Sequence, residues 1–349
     1  MSDHKVQSSA LAEENPSVVA RPPVEEMREL KRLRWQDFVF SPRYGGFIAL
    51  LAAVLIAPLF LDGLYEFDLA ILVFINASVA ITLNLLVGYA GQISLGHAAF
   101  FGLGGYGTAI LATRHDWPAL AALLAGVLLV AAVAFLIARP ILRLKGHYLA
   151  MATLGLGMII YLVITTETGL TGGPDGMSVA PMEIFGYMVF DELVWYWITG
   201  ILLLLIYLLA VNVIEPPVGR ALRAVHGSEI AAINSGVNVT HYKTLIFVVS
   251  AMVAALMGGL FAFYSGFITP TSSDFMHSIE FVVMVVLGGM ASVVGAVVGA
   301  VLLTLLPQFL AAMADYKWLT YGLILMLVMI FMPKGLVPTL HGWIRRWIP

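Results

Sequence analysis

An amide, a hydroxyl and an imidazole interrupt an apolar run at Gln92, Ser94 and His97, within Gly88–Gly107, GYAGQISLGHAAFFGLGGYG. Such groups can hydrogen-bond a passing solute or one another. The stretch also holds seven glycines in twenty residues. Polar backbone facing lipid is not tolerated, so the segment must be buried in protein or line a watery path. It reads as a pathway lining or hinge, with Gly91 and Gly96 as the bending points. The competing reading is small-residue packing, with Ser and His bonded to neighbouring helices. Glu280 is the fourth candidate, at the start of the run Glu280–Leu287. A carboxylate near mid-bilayer costs about 2.5–3.5 kcal/mol on insertion scales. The bland alternative is an interface residue bonded to backbone or to Ser278. Next come Gly288-Gly289, which let a short helix bend, and Gly295-x-x-x-Gly299, a close-packing face. A broken helix here, opposite another near Gly88–Gly96, is how a midplane transport site is built.

A second group lies in the polar segment Glu215–Lys243, EPPVGRALRAVHGSEIAAINSGVNVTHYK. Arg220 and Arg223 stand three apart on one helix face. Ser228 caps a second short helix beginning at Glu229, and Gly236 stops it. Two short helices along a membrane surface are predicted. They are either a docking surface for a cytosolic partner or interfacial helices resting on headgroups.

The rest of the composition narrows the chemistry. Of 349 residues, 60% are hydrophobic and 11% charged, with a formal net charge of −3 and no cysteine. A soluble domain carries about 25% charged residues, so too little polar surface is present for one. Nucleic-acid binding lacks a basic footprint. No nucleophile–base pair or metal-ligand cluster stands out, so an enzyme is a poor reading. Gly102-x-Gly104-x-x-Gly107 matches a dinucleotide fingerprint but follows no strand and is read as chance. No phosphate-binding loop occurs, so no cofactor is expected on this chain and any ATP is hydrolysed elsewhere.

Apolar runs long enough to cross about 30 Å recur from Gly45 onward. Spans are predicted near 45–61, 69–87, 97–113, 118–138, 148–166, 193–214, 244–264, 279–291, 292–312 and 318–333, the eighth short or broken. The expected fold is all-α: a polytopic helical membrane protein with about 8–10 transmembrane helices. With both termini cytoplasmic, 16 of the 18 Lys+Arg fall on the inner side, as the positive-inside rule requires. The outer loops instead carry acids, including the long Thr166–Glu192 connection. Residues 1–44 read as a cytosolic tail with a short helix near Glu25–Arg34, 45–340 as the membrane domain with its loop at 215–243, and 341–349 as a short cytosolic end. No signal peptide is expected in the tail, the first span serving as its own anchor.

Four stretches taken together resemble branched-chain amino acid permeases of the LivM type. They are NLLVGYAGQISLGHAAFFGLGGY at Asn84–Tyr106, TGLTGGPDGM at Thr168–Met177, GRALRAVHGSEIAAINSGVNVTHYK at Gly219–Lys243, and the run from Gly258 to Ala300 containing SIEFVVMVVLGGMASVVGAVVGA. The likeness covers about residues 45–340 and does not extend to the tail. It implies a permease subunit of an ABC importer in the bacterial inner membrane, moving leucine, isoleucine and valine by ATP-driven alternating access. The implied partners are a second permease of the LivH type, two cytosolic ATPase subunits and a periplasmic amino-acid-binding protein. It also implies that Arg220, Arg223, Glu229 and Gly236 belong to an ATPase-coupling element, although Ile230 departs from the usual Glu-Ala-Ala core. A permease of the same superfamily for urea, short amides or other amino acids is the near alternative. A stand-alone ion-coupled transporter or channel is the distant one.

Overall fold

The computed structural model describes residues 42–61, 63–184, 186–215, 217–309 and 335–347, with scattered positions from 319 to 332. Nearly all of the expected tail, and most of the tenth span, lie outside the described residues. The chain divides into two units, Met1–Ala49 and Leu50–Pro349. The first is described only for the opening turns of helix α1, Pro42–Ile56.

The second unit is helical. It contains α2 Leu64–Asn84, α3 His97–Arg114, α4 Ala119–Ile141, α5 His147–Thr166, α6 Glu192–Ile214, α7 Val218–Gly227, α8 Glu229–Asn234, α9 Val239–Ser265, α10 Phe275–Gly288, α11 Val293–Phe309 and α12 Leu336–Trp347. Nine of the ten predicted spans coincide with a helix to within a few residues. Among the described residues, five helices are long and apolar enough to cross a membrane by themselves: α2 with its continuation to Tyr89, α4, α5, α6 and α9. The chain is therefore a multi-pass membrane protein. At about 1.5 Å per residue α10 reaches only about 21 Å, short of the hydrocarbon core. It pairs with α11 through bare backbone: a Cβ on Gly288 would strike Gly295, and one on Gly299 would strike Met284.

Helix α2 sits at the centre, packed against α6, α9, α10 and α11. Its residues Ala77 to Leu83 are fully buried. By contrast, α4 exposes Leu128 at 64% and Leu136 at 77%. An apolar face left open on one side of a helix is what lipid contact requires. The glycines of α3 are used for packing: a Cβ on Gly104 would meet Ala255, and one on Gly102 would meet Ser273. The dinucleotide-like spacing is thus a helix-packing face.

The connection 167–191 was expected as loop alone. It contains three two-residue strands. Met177–Ser178 pairs with Phe267–Ile268, just after α9, and Glu183–Ile184 pairs with Tyr187–Met188 in a hairpin. The antiparallel pairing ties this loop to the C-terminal end of α9. At the same end Tyr65 donates to Gln308 Oε1 at 2.8 Å.

Candidate functional site

Two interruptions of helix geometry meet at the opposite end. The first follows α2. Residues Leu85–Tyr89 form a π-helical turn, and the chain then runs irregularly to Gly96. Single π turns inside helices are frequent at functional positions. The second is the turn Gly289–Ser292 between α10 and α11, where Gly289 stands at φ +124° and Ala291 at φ +59°. Alanine in the left-handed region is strained and needs outside support.

Asn84 supplies it. Its Oδ1 accepts from the Ala291 N–H at 2.9 Å, and its Nδ2 donates to the Ser292 carbonyl at 2.6 Å. The Tyr89 hydroxyl donates to the Ala291 carbonyl at 2.6 Å. Gly88 admits this contact, since a Cβ there would strike the Ala291 backbone. Every polar group of a turn at membrane depth needs such a partner. A Cβ on Gly335, just before α12, would in turn strike Gly289.

Gly91 carries the first break to α7 and α8, the helices of the loop 215–243. It adopts φ +68°, and a Cβ on it would stand 2.8 Å from His226 Nδ1 of α7. Side chain and backbone thus meet where α7 abuts the break.

Gln92, Ser94 and His97 occupy this first break and the start of α3. All three are buried. His97 is spanned by two hydroxyls, with Ser94 Oγ 3.0 Å from Nδ1 and Ser250 Oγ 2.8 Å from Nε2. Its ring meets Phe100 and Phe247 edge-on. Ser94 and His97 therefore saturate each other and tie α3 to α9. Nearby, Ser278 accepts from the Ala98 N–H at 3.1 Å, and Thr153 accepts from the Leu95 N–H at 3.0 Å. The first satisfies a donor that the start of α3 leaves open, and the second a donor in the break before it. Gly96 rests on the Thr153 backbone, which admits no larger residue. Gln92 differs from its neighbours. Both its amide atoms are buried without a partner among the described residues, at a desolvation cost of about 1–3 kcal/mol each. It is the group in this break with open hydrogen-bonding capacity.

Glu280 is not bonded to backbone or to Ser278, the bland alternative for it; Ser278 serves Ala98. Its Oε2 lies 3.1 Å from His277 Nδ1, one turn earlier. The two side chains are 36% and 25% exposed. The pair is thus half-buried, with the His277 ring packed against Phe281 and Phe101.

On the loop, Glu229 turns inward. It lies 2.5 Å from Lys243 at the start of α9 and 3.1 Å from Lys145 between α4 and α5. Burial pushes its carboxyl up, but hydrogen bonds from Lys243 and Lys145 outweigh that and hold it below the usual carboxylate range. Ser228 accepts from the Ala231 N–H and caps α8. Arg220 and Arg223 are exposed, and Arg220 and Gly236 line an open groove with Tyr242. Sequence reasoning missed Ile233, 59% exposed on α8, and marked Ile230, 70% exposed on the same helix, only as a departure from the Glu-Ala-Ala core. It also missed Asn84, Tyr89, Ser250, Lys145 and Lys243. Asn84 carried a usable signal, a lone amide in an apolar run.

Comparison with known proteins adds to this geometry. The family model described as branched-chain amino acid transport system / permease component matches residues 66–332. The chain is 33% identical to the high-affinity branched-chain amino acid transport system permease protein LivM of Salmonella typhimurium, over 84% of this chain and 74% of that one. It is 23% identical to the probable branched-chain amino acid transport permease protein LivM of Methanocaldococcus jannaschii, over 74% and 89%. Identity to the corresponding LivH protein of Salmonella typhimurium is 25%, over 75% and 90%. No solved structure matches the chain. With both its central helices and its interrupted segments inside the matched region, the chain belongs to the family of branched-chain amino acid transport permeases.

Proposed function

We propose that this chain is a permease subunit of an ABC importer carrying branched-chain amino acids across the bacterial inner membrane, with both termini in the cytosol. The chain performs no chemistry on its substrate and binds no cofactor. ATP is used by two partner ATPase subunits, a LivH-type permease completes the pathway, and a periplasmic binding protein delivers the amino acid. The family match carries the reading. Charge distribution supports the orientation: Arg139, Arg143, Lys145, Arg220, Arg223 and Lys243 belong to the end that holds α7 and α8, which positive-inside bias assigns to the cytosol.

The mechanism follows from how the breaks are joined. An ATPase closing on Arg220, Arg223, Ile230 and Ile233 pushes α7 and α8, which pack on each other, while Glu229 ties α8 to Lys145 and Lys243. His226 bears on Gly91, so displacement of α7 reaches the break after α2. Asn84 and Tyr89 pass it to the turn between α10 and α11. Gln92 and the half-buried Glu280–His277 pair then line the path against the second permease, and Gly91, Gly96, Gly288 and Gly289 are its hinge and packing points. Ser94 and His97 act beside the path as the tie between α3 and α9.

Uptake of labelled leucine into vesicles holding both permeases, the ATPases and the binding protein tests this. ATP-dependent uptake is expected, and Arg223→Ala with Glu229→Ala should abolish it in a complex that still assembles. Uptake of urea instead of leucine would replace the substrate. Uptake without ATP or partners would refute the importer.

A further inference from the structure

At the end of the molecule opposite α7 and α8 lies a cavity of about 590 Å³, within the roughly 300–1,000 Å³ of small-molecule sites. Its walls come from three helix ends and the loop before α6. Asp68 is on the second turn of α2, Glu192 opens α6, and Tyr264 closes α9. The Tyr264 hydroxyl donates to Asp68 Oδ1 at 2.6 Å, which fixes the carboxylate. Trp195 meets Tyr264 edge-on, with ring centroids 5.5 Å apart. Its indole N–H is spent on the Val189 carbonyl, so its ring is held in place. Leu72 and Val179 add apolar wall.

The charge is one-sided. Among the described residues no basic side chain lines the cavity, and neither Asp68 nor Glu192 has a salt-bridge partner. Two carboxylates in a walled cleft focus a negative potential, and aromatic rings beside them favour a cation further. A compact metal ion would want more oxygen ligands than two carboxylates, and the aromatic and aliphatic wall suits an organic cation better.

We propose that this cavity receives the primary ammonium group of an aliphatic amine, the α-ammonium of a branched-chain amino acid, at the outer mouth of the permease. The site rests on the permease reading above and specifies where the substrate first touches this chain. Asp68 and Glu192 hold the ammonium, Trp195 and Tyr264 flank it, and Leu72 and Val179 meet the branched side chain. The substrate carboxylate finds no basic partner here, so an amine lacking it binds as well, and an acid lacking the ammonium does not bind.

The test is saturation-transfer NMR on the assembled permease–ATPase complex in nanodiscs, without binding protein, using L-leucine, isopentylamine and 2-hydroxy-4-methylpentanoate as probes. Leucine and isopentylamine should bind competitively, and the hydroxy acid should give no signal. Asp68→Asn with Glu192→Gln should weaken isopentylamine binding by about tenfold or more, and Trp195→Phe, which keeps an aromatic ring, by less. The double variant must co-purify with its partners for the result to count; if it does not, Glu192→Gln alone is read the same way. Hydroxy acid binding equal to that of the amine, or a variant that binds the amine like the wild type, overturns the site. Wild-type complex that imports leucine under ATP yet binds no amine here also overturns it while leaving the permease intact. Failure of wild-type import would instead strike the permease reading.

Discussion

Replacing Asn84 by Ala removes both hydrogen bonds that this side chain makes to the turn between α10 and α11. Side-chain hydrogen bonds within membrane proteins average about 0.6 kcal/mol and reach about 1.7 kcal/mol. Losing two therefore costs about 1–3 kcal/mol, which corresponds to a roughly 5- to 150-fold change in an equilibrium. The strain stored at Ala291, with φ +59°, acts in the same direction, because it is released when the turn opens. The Ser292 and Ala296 N–H groups donate to the Gly289 and Ser292 carbonyls and keep these acceptors in the variant, so they report opening of the turn. Hydrogen–deuterium exchange across residues 289–296 of the assembled complex should accelerate by roughly 5- to 150-fold in Asn84→Ala. Exchange in α4 should stay unchanged. Adding Ala291→Gly should restore part of the protection, since glycine holds that backbone conformation without strain. ATP-driven uptake should fall while ATP hydrolysis continues, because the turn no longer follows the first break. Unchanged exchange at 289–296 would refute the clamp, and a loss of both uptake and hydrolysis would refute its role between the two breaks.

Three further outcomes are expected. Glu229 keeps its charge to lower pH in the folded protein than in the unfolded chain, so its contribution is present above the usual carboxylate range near pH 4 and is lost as pH falls through its lowered value. The melting temperature of the wild type should therefore drop more steeply than that of Glu229→Gln between about pH 5 and 2, and parallel curves would refute it. Gly91→Ala should destabilise by about 1–2 kcal/mol from backbone conformation alone, with an added clash against His226 Nδ1; in a double-mutant cycle of melting free energies, His226→Ala should relieve the clash but not the backbone cost. Ile230→Asp with Ile233→Asp should leave the unfolding free energy within about 0.5 kcal/mol of the wild type, as exposed substitutions do, yet release the ATPases on size-exclusion chromatography. Retained ATPases would show that these exposed side chains are not the docking face.

Much of the architecture is legible in the chain because the bilayer imposes one length and one polarity. Apolar runs at 118–138, 193–214 and 244–264 emerge as α4, α6 and α9 with ends shifted by a few residues. The largest shift is at α9, which begins at Val239, where Asn238 caps it by accepting from the His241 N–H; a polar first turn escapes a hydropathy reading. The weak eighth span is a short helix, as its glycines suggested, ending at Gly288 with Gly289 as its cap. The strands in 167–191 were not foreseen, since two-residue pairings depend on a partner at Phe267–Ile268 that lies far along the chain.

The candidate site divides in the same way. Residue types marked Gln92, Ser94, His97 and Glu280 as polar groups in an apolar chain, and that followed from the sequence by itself, because the bilayer makes any such group conspicuous. Which of them is satisfied was decided only by tertiary structure. His97 finds Ser250 across 153 positions, and Glu280 finds His277 on its own helix. Among the described residues Gln92 is left unpartnered. Likewise Glu229 was recognisable as the start of a short helix, but its inward turn depends on Lys145 and Lys243, which no local pattern brings near it. A single chain position specifies what a side chain can donate or accept; its partner comes from helices that meet only when packed, and on that meeting depends whether a polar group is structure or site.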